Sequence, residues 1–170
     1  GSDVKHRSTI LFSGSAQGAA IAAAEELRTR FNVAVDLWSA TSYKTLREDA
    51  LAVERHNRLH PSHPPKVARV TALLSGCSDP VIAVSDFMKI VPEQIARFVP
   101  GRSFTALGTD GMGRSDTRDA LRSHFEIDMP NIVVAVLAAL AQSGAVSTDI
   151  VQQAIAKYDI KPSRTDPYIV

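Results

Sequence analysis

The chain predicts an α/β domain with a mainly parallel sheet and helices on both faces. Three observations carry this expectation. Short apolar, largely β-branched runs alternate with helix-periodic segments, the order that builds strand–helix–strand units. Glycine, proline and hydroxyl residues punctuate the junctions between them. The length, 170 residues at 45% hydrophobic and 22% charged, suits one domain with a substantial core.

Thr9–Ser13 reads as a short buried strand, and Gly14 and Gly18 bracket the turn after it. Gln17–Phe31 follows as a helix whose small residues Ala20, Ala23 and Ala24, with Leu27, share one face that can pack close to a sheet. Val33–Ser39 is the second strand. Thr41 or Ser42 can cap the next helix by accepting from its free first-turn amides. Tyr43, Leu46, Ala50 and Val53 form that helix's apolar stripe. Three prolines in His60–Pro65 break it. Lys66–Ser75 predicts a short helix, Gly76–Pro80 a turn and Val81–Val84 the third strand. Pro92–Phe98 predicts another short helix, with proline tolerated in its first turn. Ser103–Leu107 is the fourth strand and Asp116–Phe125 the helix after it. Asn131–Val134 fits a fifth strand by its β-branching, but it runs unbroken into the helix-like Ala135–Gln142. Both readings stand, with a strand entering a helix preferred. Thr148–Tyr158 closes the domain as an amphipathic helix, and residues 161–170 read as a polar tail, loose unless docked on a partner.

Composition excludes several classes. Net charge is +1 with charges spread evenly, so no basic stripe points to nucleic acid. The apolar run Ile132–Ala141 is too short to span a bilayer. A single cysteine, Cys77, forms no internal disulfide and fits a reducing cytoplasm. Gly1-Ser2 reads as a cloning scar.

Candidate chemistry gathers at a few places. The turn SGSAQGAA, Ser13–Ala20, could hold a phosphate on backbone amides. It matches neither standard nucleotide fingerprint and no lysine follows, so a plain tight turn is the reading. His56, His60 and His63 have spacing that metal ligands use, but they also continue an apolar stripe, so packing is the reading. Asp86 and Lys89 follow the third strand. Asp110, Arg114, Asp116 and Arg118 follow the fourth, in the glycine-rich stretch GTDGMGRSDTR, Gly108–Arg118. Parallel neighbouring strands would bring both groups to one end of the sheet, where open α/β sheets place their working surface. Asp116 suits helix capping, backed by Asp119. Arg114 suits contact with another surface. No Ser-His-Asp order, GxSxG motif or paired-carboxylate site stands out, and nothing near Cys77 argues for an activated thiolate.

Three blocks carry a resemblance: Asp36–Pro61 (DLWSATSYKTLREDALAVERHNRLHP), Val81–Phe104 (VIAVSDFMKIVPEQIARFVPGRSF) and Gly108–Arg118. In order and spacing they resemble the C-terminal domain of homodimeric, thiamine-diphosphate-dependent pyruvate dehydrogenases, over roughly Asp3 to Ile160. Family members often carry an aromatic where this chain has Met112 and a tryptophan where it has His56. The resemblance implies a mixed five-stranded sheet of the transketolase C-terminal type over residues 3–160. It also implies a three-domain bacterial cytoplasmic parent that decarboxylates pyruvate and acetylates the lipoyl group of dihydrolipoyl acetyltransferase. Thiamine diphosphate and magnesium would be held by the other two domains across a dimer interface. These 170 residues would then hold no catalytic, cofactor or metal residues. Asp86, Lys89, Asp110, Arg114 and Arg118 would meet the upstream domains or a second subunit. The alternatives are a transketolase or another thiamine-dependent parent, a self-standing phosphate- or nucleotide-binding module, and an assembly module docking the acetyltransferase core. The Gly108–Arg118 block argues for the pyruvate enzyme.

Overall fold

Strand β1, His6–Phe12, lies near the middle of the sheet and pairs on both sides. A computed structural model describes residues 5–99, 101 and 103–169; the expected scar at Gly1-Ser2 lies outside them. β1 leads through α1, Gln17–Arg30, to β2, Val33–Ser39. Next come α2, Tyr43–Leu59, α3, Arg69–Leu74, and β3, Val81–Val84. Then follow α4, Ile90–Glu93, β4, Phe104–Leu107, α5, Arg118–His124, α6, Met129–Gln142, and α7, Thr148–Lys157. The strand order is β2-β1-β3-β4 and every pairing is parallel. The register sets Phe12 opposite both Ser39 and Val84, and Val84 opposite Leu107. The carboxyl ends of all four strands therefore lie along one edge.

Pleating sends successive side chains to opposite faces, and each face has its own core. Ile10, Ile82 and Val84 point to one core with Leu27, Ile132, Val133, Val136 and Leu137. Leu11, Val81 and Ala83 point to the other with Tyr43, Ala50, Val70, Leu74 and Ile95. All four residues of β3 are buried, as a central parallel strand covered on both faces requires. Ala20 and Ala23 are fully buried on α1, so the small-residue face does seat that helix closely.

Among the described residues the sheet has four strands, not five, and is parallel rather than mixed. Asn131–Val134 lies inside α6. The Asp128 carboxylate accepts from Asn131 N–H at 3.1 Å, and Pro130 sits in the first turn, so the helix start is fixed at Met129. The β-branched run is apolar because it faces the first core. Residues 118–142 together are long and apolar enough to cross a membrane, yet they form two helices, and α6 packs between α1 and α7.

Other boundaries shift for local reasons. α3 begins at Arg69 instead of Lys66. The Asn57 side chain clamps Lys66 by its N–H and carbonyl, and Asp49 accepts from Arg69 N–H at 2.7 Å. The segment expected as one helix over Pro92–Phe98 splits into α4 and a 3-10 turn at Ala96–Phe98. α5 is capped by Thr117, not Asp116: Thr117 Oγ1 accepts from Ala120 N–H at 3.3 Å, whereas Asp116 accepts, among the described residues, only from its neighbour Thr117.

Candidate functional site: the shelf at the carboxyl edge of the sheet

Three segments meet beyond β3 and β4. The loop Ser85–Lys89 and the turn Gly108–Arg118 are locked together by backbone. Thr109 N–H donates to Phe87 O at 2.9 Å, and its hydroxyl donates to Asp86 O at 2.9 Å. Gly108 lies so close beneath the loop that a Cβ there would stand 2.5 Å from Phe87 O and 2.7 Å from Lys89 N. The third segment is the C-terminal tail. Gly111, at φ +95°, leaves only 2.0 Å between a notional Cβ and Pro167 O, so the tail lies directly on the turn. Arg164 anchors the tail to α5, donating to Ser123 O at 3.3 Å and lying 3.0 Å from His124 Nδ1. The segment read as loose is thus packed against its own domain.

The five residues singled out from the sequence divide into two groups. Asp110 is 7% exposed; its carboxylate accepts from Lys89 N–H at 3.2 Å and lies 3.9 Å from Lys89 Nζ. Asp86 turns towards the β1–α1 turn, where its Oδ2 accepts from Ser15 N–H at 3.1 Å. Asp110 ties the loop to the turn, and Asp86 ties the loop to the β1–α1 turn. Arg114 and Arg118 are exposed. Arg118 borders an open groove of about 330 Å3, together with Asp86, Asp116 and Arg122. Burial, followed by the charges of Arg114 and Arg164, holds the His124 imidazole below its usual range.

Sequence reasoning missed the apolar part of the shelf. Phe87, Met88, Ile90, Met112, Tyr168 and Ile169 are each more than half exposed. Five of them belong to the three interlocked segments and Ile90 opens α4 directly after the loop, whereas other large exposed apolar residues, such as Ile21 and Val67, lie outside these segments. The available signal was the pair Phe87-Met88 on a turn directly after a buried strand. Scattered exposed apolar residues are ordinary, but a cluster marks an interaction surface.

The remaining candidates have structural explanations. His56 and His60 stack at 4.3 Å between ring centroids, and His60 and His63 at 5.5 Å. Among the described residues no three His, Cys, Asp or Glu side chains converge to hold a metal.

An open parallel sheet, helices on both faces and a carboxyl-edge shelf define a doubly covered α/β domain with an outward working surface. Comparison specifies the class: residues 2–128 match the transketolase-like TK C-terminal domain, and the chain belongs to that family. It is 45% identical to the pyruvate dehydrogenase E1 component of Pseudomonas aeruginosa over 97% of this chain and 19% of that protein. With the E1 component of Mycolicibacterium smegmatis it shares 45% identity over 89% of this chain and 16% of that protein. The Escherichia coli K12 E1 component is 39% identical over 96% of this chain and 18% of its own length. The chain thus spans less than a fifth of these curated relatives. A solved split-gene transketolase, an inactive beta4 tetramer, superposes with a TM-score of 0.53 at 18% identity, covering 82% of this chain and 40% of that one. That likeness supports the fold.

Proposed function

We propose that this chain is the C-terminal domain of a thiamine-dependent pyruvate dehydrogenase. The parent would oxidatively decarboxylate pyruvate and acetylate the lipoyl group of dihydrolipoyl acetyltransferase as a homodimer in the bacterial cytoplasm. The observation that carries the reading is 45% identity to an E1 component along nearly the whole chain. Residues 3–160 form the domain in this reading, and 161–170 are a tail that completes the shelf.

In this reading thiamine diphosphate and magnesium are held by other domains of the parent. No three metal-donating side chains converge among the described residues, and Asp110 is engaged with Lys89. We assign this domain to assembly. Its shelf presents six exposed apolar side chains to an upstream domain or second subunit, with Arg114 and Arg118 alongside. Buried apolar area supplies the attraction in such a contact, and a guanidinium supplies planar, bidentate pairing with a carboxylate or carbonyl.

The test uses the full-length parent. Wild type should turn over pyruvate only with thiamine diphosphate and magnesium; no turnover would refute the parent assignment. Arg114→Ala should weaken the dimer or lower turnover, because a partner acceptor left unpaired costs about 1–3 kcal/mol. In the 170-residue chain the same change should alter stability by less than about 0.5 kcal/mol. Unchanged dimer dissociation and turnover in the parent would show that the turn does not serve assembly.

A further inference from the structure

A cleft on the second face of the sheet has no part in the proposed assembly role. It opens beyond the carboxyl ends of β1 and β2, between the first turns of α2 and helix α3, and encloses about 540 Å3. Leu11, Trp38, Leu46, Val70, Leu74 and Ile95 line its apolar part. The polar part of the lining is Ser39, Thr41, Ser42 and Thr45, with Arg69 and Asp49.

The two charges at this cleft are not equivalent. Asp49 Oδ2 already accepts a hydrogen bond, from Arg69's own backbone N–H at 2.7 Å. Among the described residues the Arg69 guanidinium forms no ion pair, unlike those of Arg7, Arg28, Arg30 and Arg97. The cleft thus combines an aliphatic and indole wall with one cation that has no ion-pair partner among the described residues and four hydroxyl residues, of which Ser42 and Thr45 bond each other. Its volume lies within the range of small-molecule sites, which pair apolar walls with a few polar groups that set orientation.

We propose that this cleft binds a small organic anion with an apolar body. The body lies against Trp38 and the leucines, and the carboxylate meets Arg69 and the hydroxyls. An extended peptide suits the cleft less well, since its amides would be buried against aliphatic side chains that offer no acceptors.

Trp38 is the chain's only tryptophan, so its fluorescence reports on the wall directly. Octanoate titrated into the 170-residue chain should shift that fluorescence saturably. Octan-1-ol, of equal chain length but uncharged, should bind about tenfold more weakly, the scale of a lost charge-assisted hydrogen bond. Arg69→Gln should abolish the preference. Leu73 is exposed and lines the same cleft. Leu73→Glu should therefore weaken octanoate and spare the alcohol. The proposal is overturned by equal affinity for acid and alcohol, by no saturable change, or by unchanged octanoate affinity in Arg69→Gln. The same titration of the full-length parent should give the same preference; loss of binding there would overturn the proposal for the intact protein. None of these readouts depends on the parent's activity, so the assembly assignment and this one fail separately.

Discussion

Two glycine turns leave parallel strands at the same edge of the sheet, and they have opposite fates. The β1–α1 turn is closed on itself. Gly14 adopts φ +57°, and the Asp86 carboxylate stands 2.4 Å from where a Cβ would be. With Asp86 Oδ2 bonded to Ser15 N–H, the place a phosphate would take is held by the protein's own anion. The β4–α5 turn changes character along its length. Gly108 and Gly111 are pressed under backbone, while Gly113 has no atom within 4 Å of its notional Cβ. Similar glycine content therefore gives a sealed turn in one case and a half-open shelf in the other. The difference lies in what approaches the glycine, which is set by a loop or tail distant in sequence.

The largest expected effect tests that reading. Gly108→Ala should cost about 3 kcal/mol, because the facing atoms are backbone and cannot swing aside. Gly14→Ala should cost less, about 1–2 kcal/mol, since the strain of a positive φ remains but the Asp86 side chain can move. Gly113→Ala should be nearly silent. Urea denaturation of the three variants gives the ranking, and a reversed order would break the comparison.

A smaller effect separates the locked and open ends of the second turn. Thr117→Ala should cost about 1 kcal/mol through loss of the α5 cap. Asp116→Ala should cost clearly less, since its carboxylate bonds the adjacent Thr117 amide and not the first turn of α5. Equal losses would mean that Asp116 shares the capping.

The smallest effect is a pH dependence. His56 and His124 both sit below the ordinary value of 6.5. Burial is the main cause for each, followed by Lys66 and His60 for His56, and by Arg114 and Arg164 for His124. A lowered folded pKa means that the unfolded chain takes up protons first. Their contribution is therefore fully present above 6.5 and declines as pH falls below it. Tm measured on both sides of that value should show the decline, and His124→Gln should reduce it. An unaltered slope in that variant would remove the open end of the turn from the titration.

Much of the architecture was legible in the sequence because its signals are local. Three of the four strands are apolar runs bounded by turn residues, and β3 is short enough that no helix competes; β1 starts at His6, ahead of the expected Thr9, because the polar His6–Ser8 carries no such signal. The fifth strand was misread because Asn131–Val134 sits where sheet and helices enclose α6, so it shows no polar face by which to recognise a helix. The decisive local signal was Asp128 followed by Pro130, a cap and a first-turn proline. At the site, the sequence located the right edge of the sheet but could not tell inward from outward charges. Asp86 and Asp110 look like Arg114 and Arg118 on paper. Only the approach of Ser15 and Lys89, from other parts of the chain, turns them inward. The tail was unreadable because its partner, Gly111, lies so far upstream.

The strand order also has a consequence during synthesis. β1 meets β2 after one intervening helix, but its other edge waits for β3, and Ser8 bonds Pro80 across 72 residues. A chain emerging from the ribosome can complete β1–α1–β2 while one side of β1 still has no neighbour. Chaperone demand should therefore peak after β2 is exposed and fall once β3 clears the exit tunnel. Nascent chains arrested on either side of Val84 should differ sharply in protease resistance; equal resistance would show that the central strand does not depend on this late pairing.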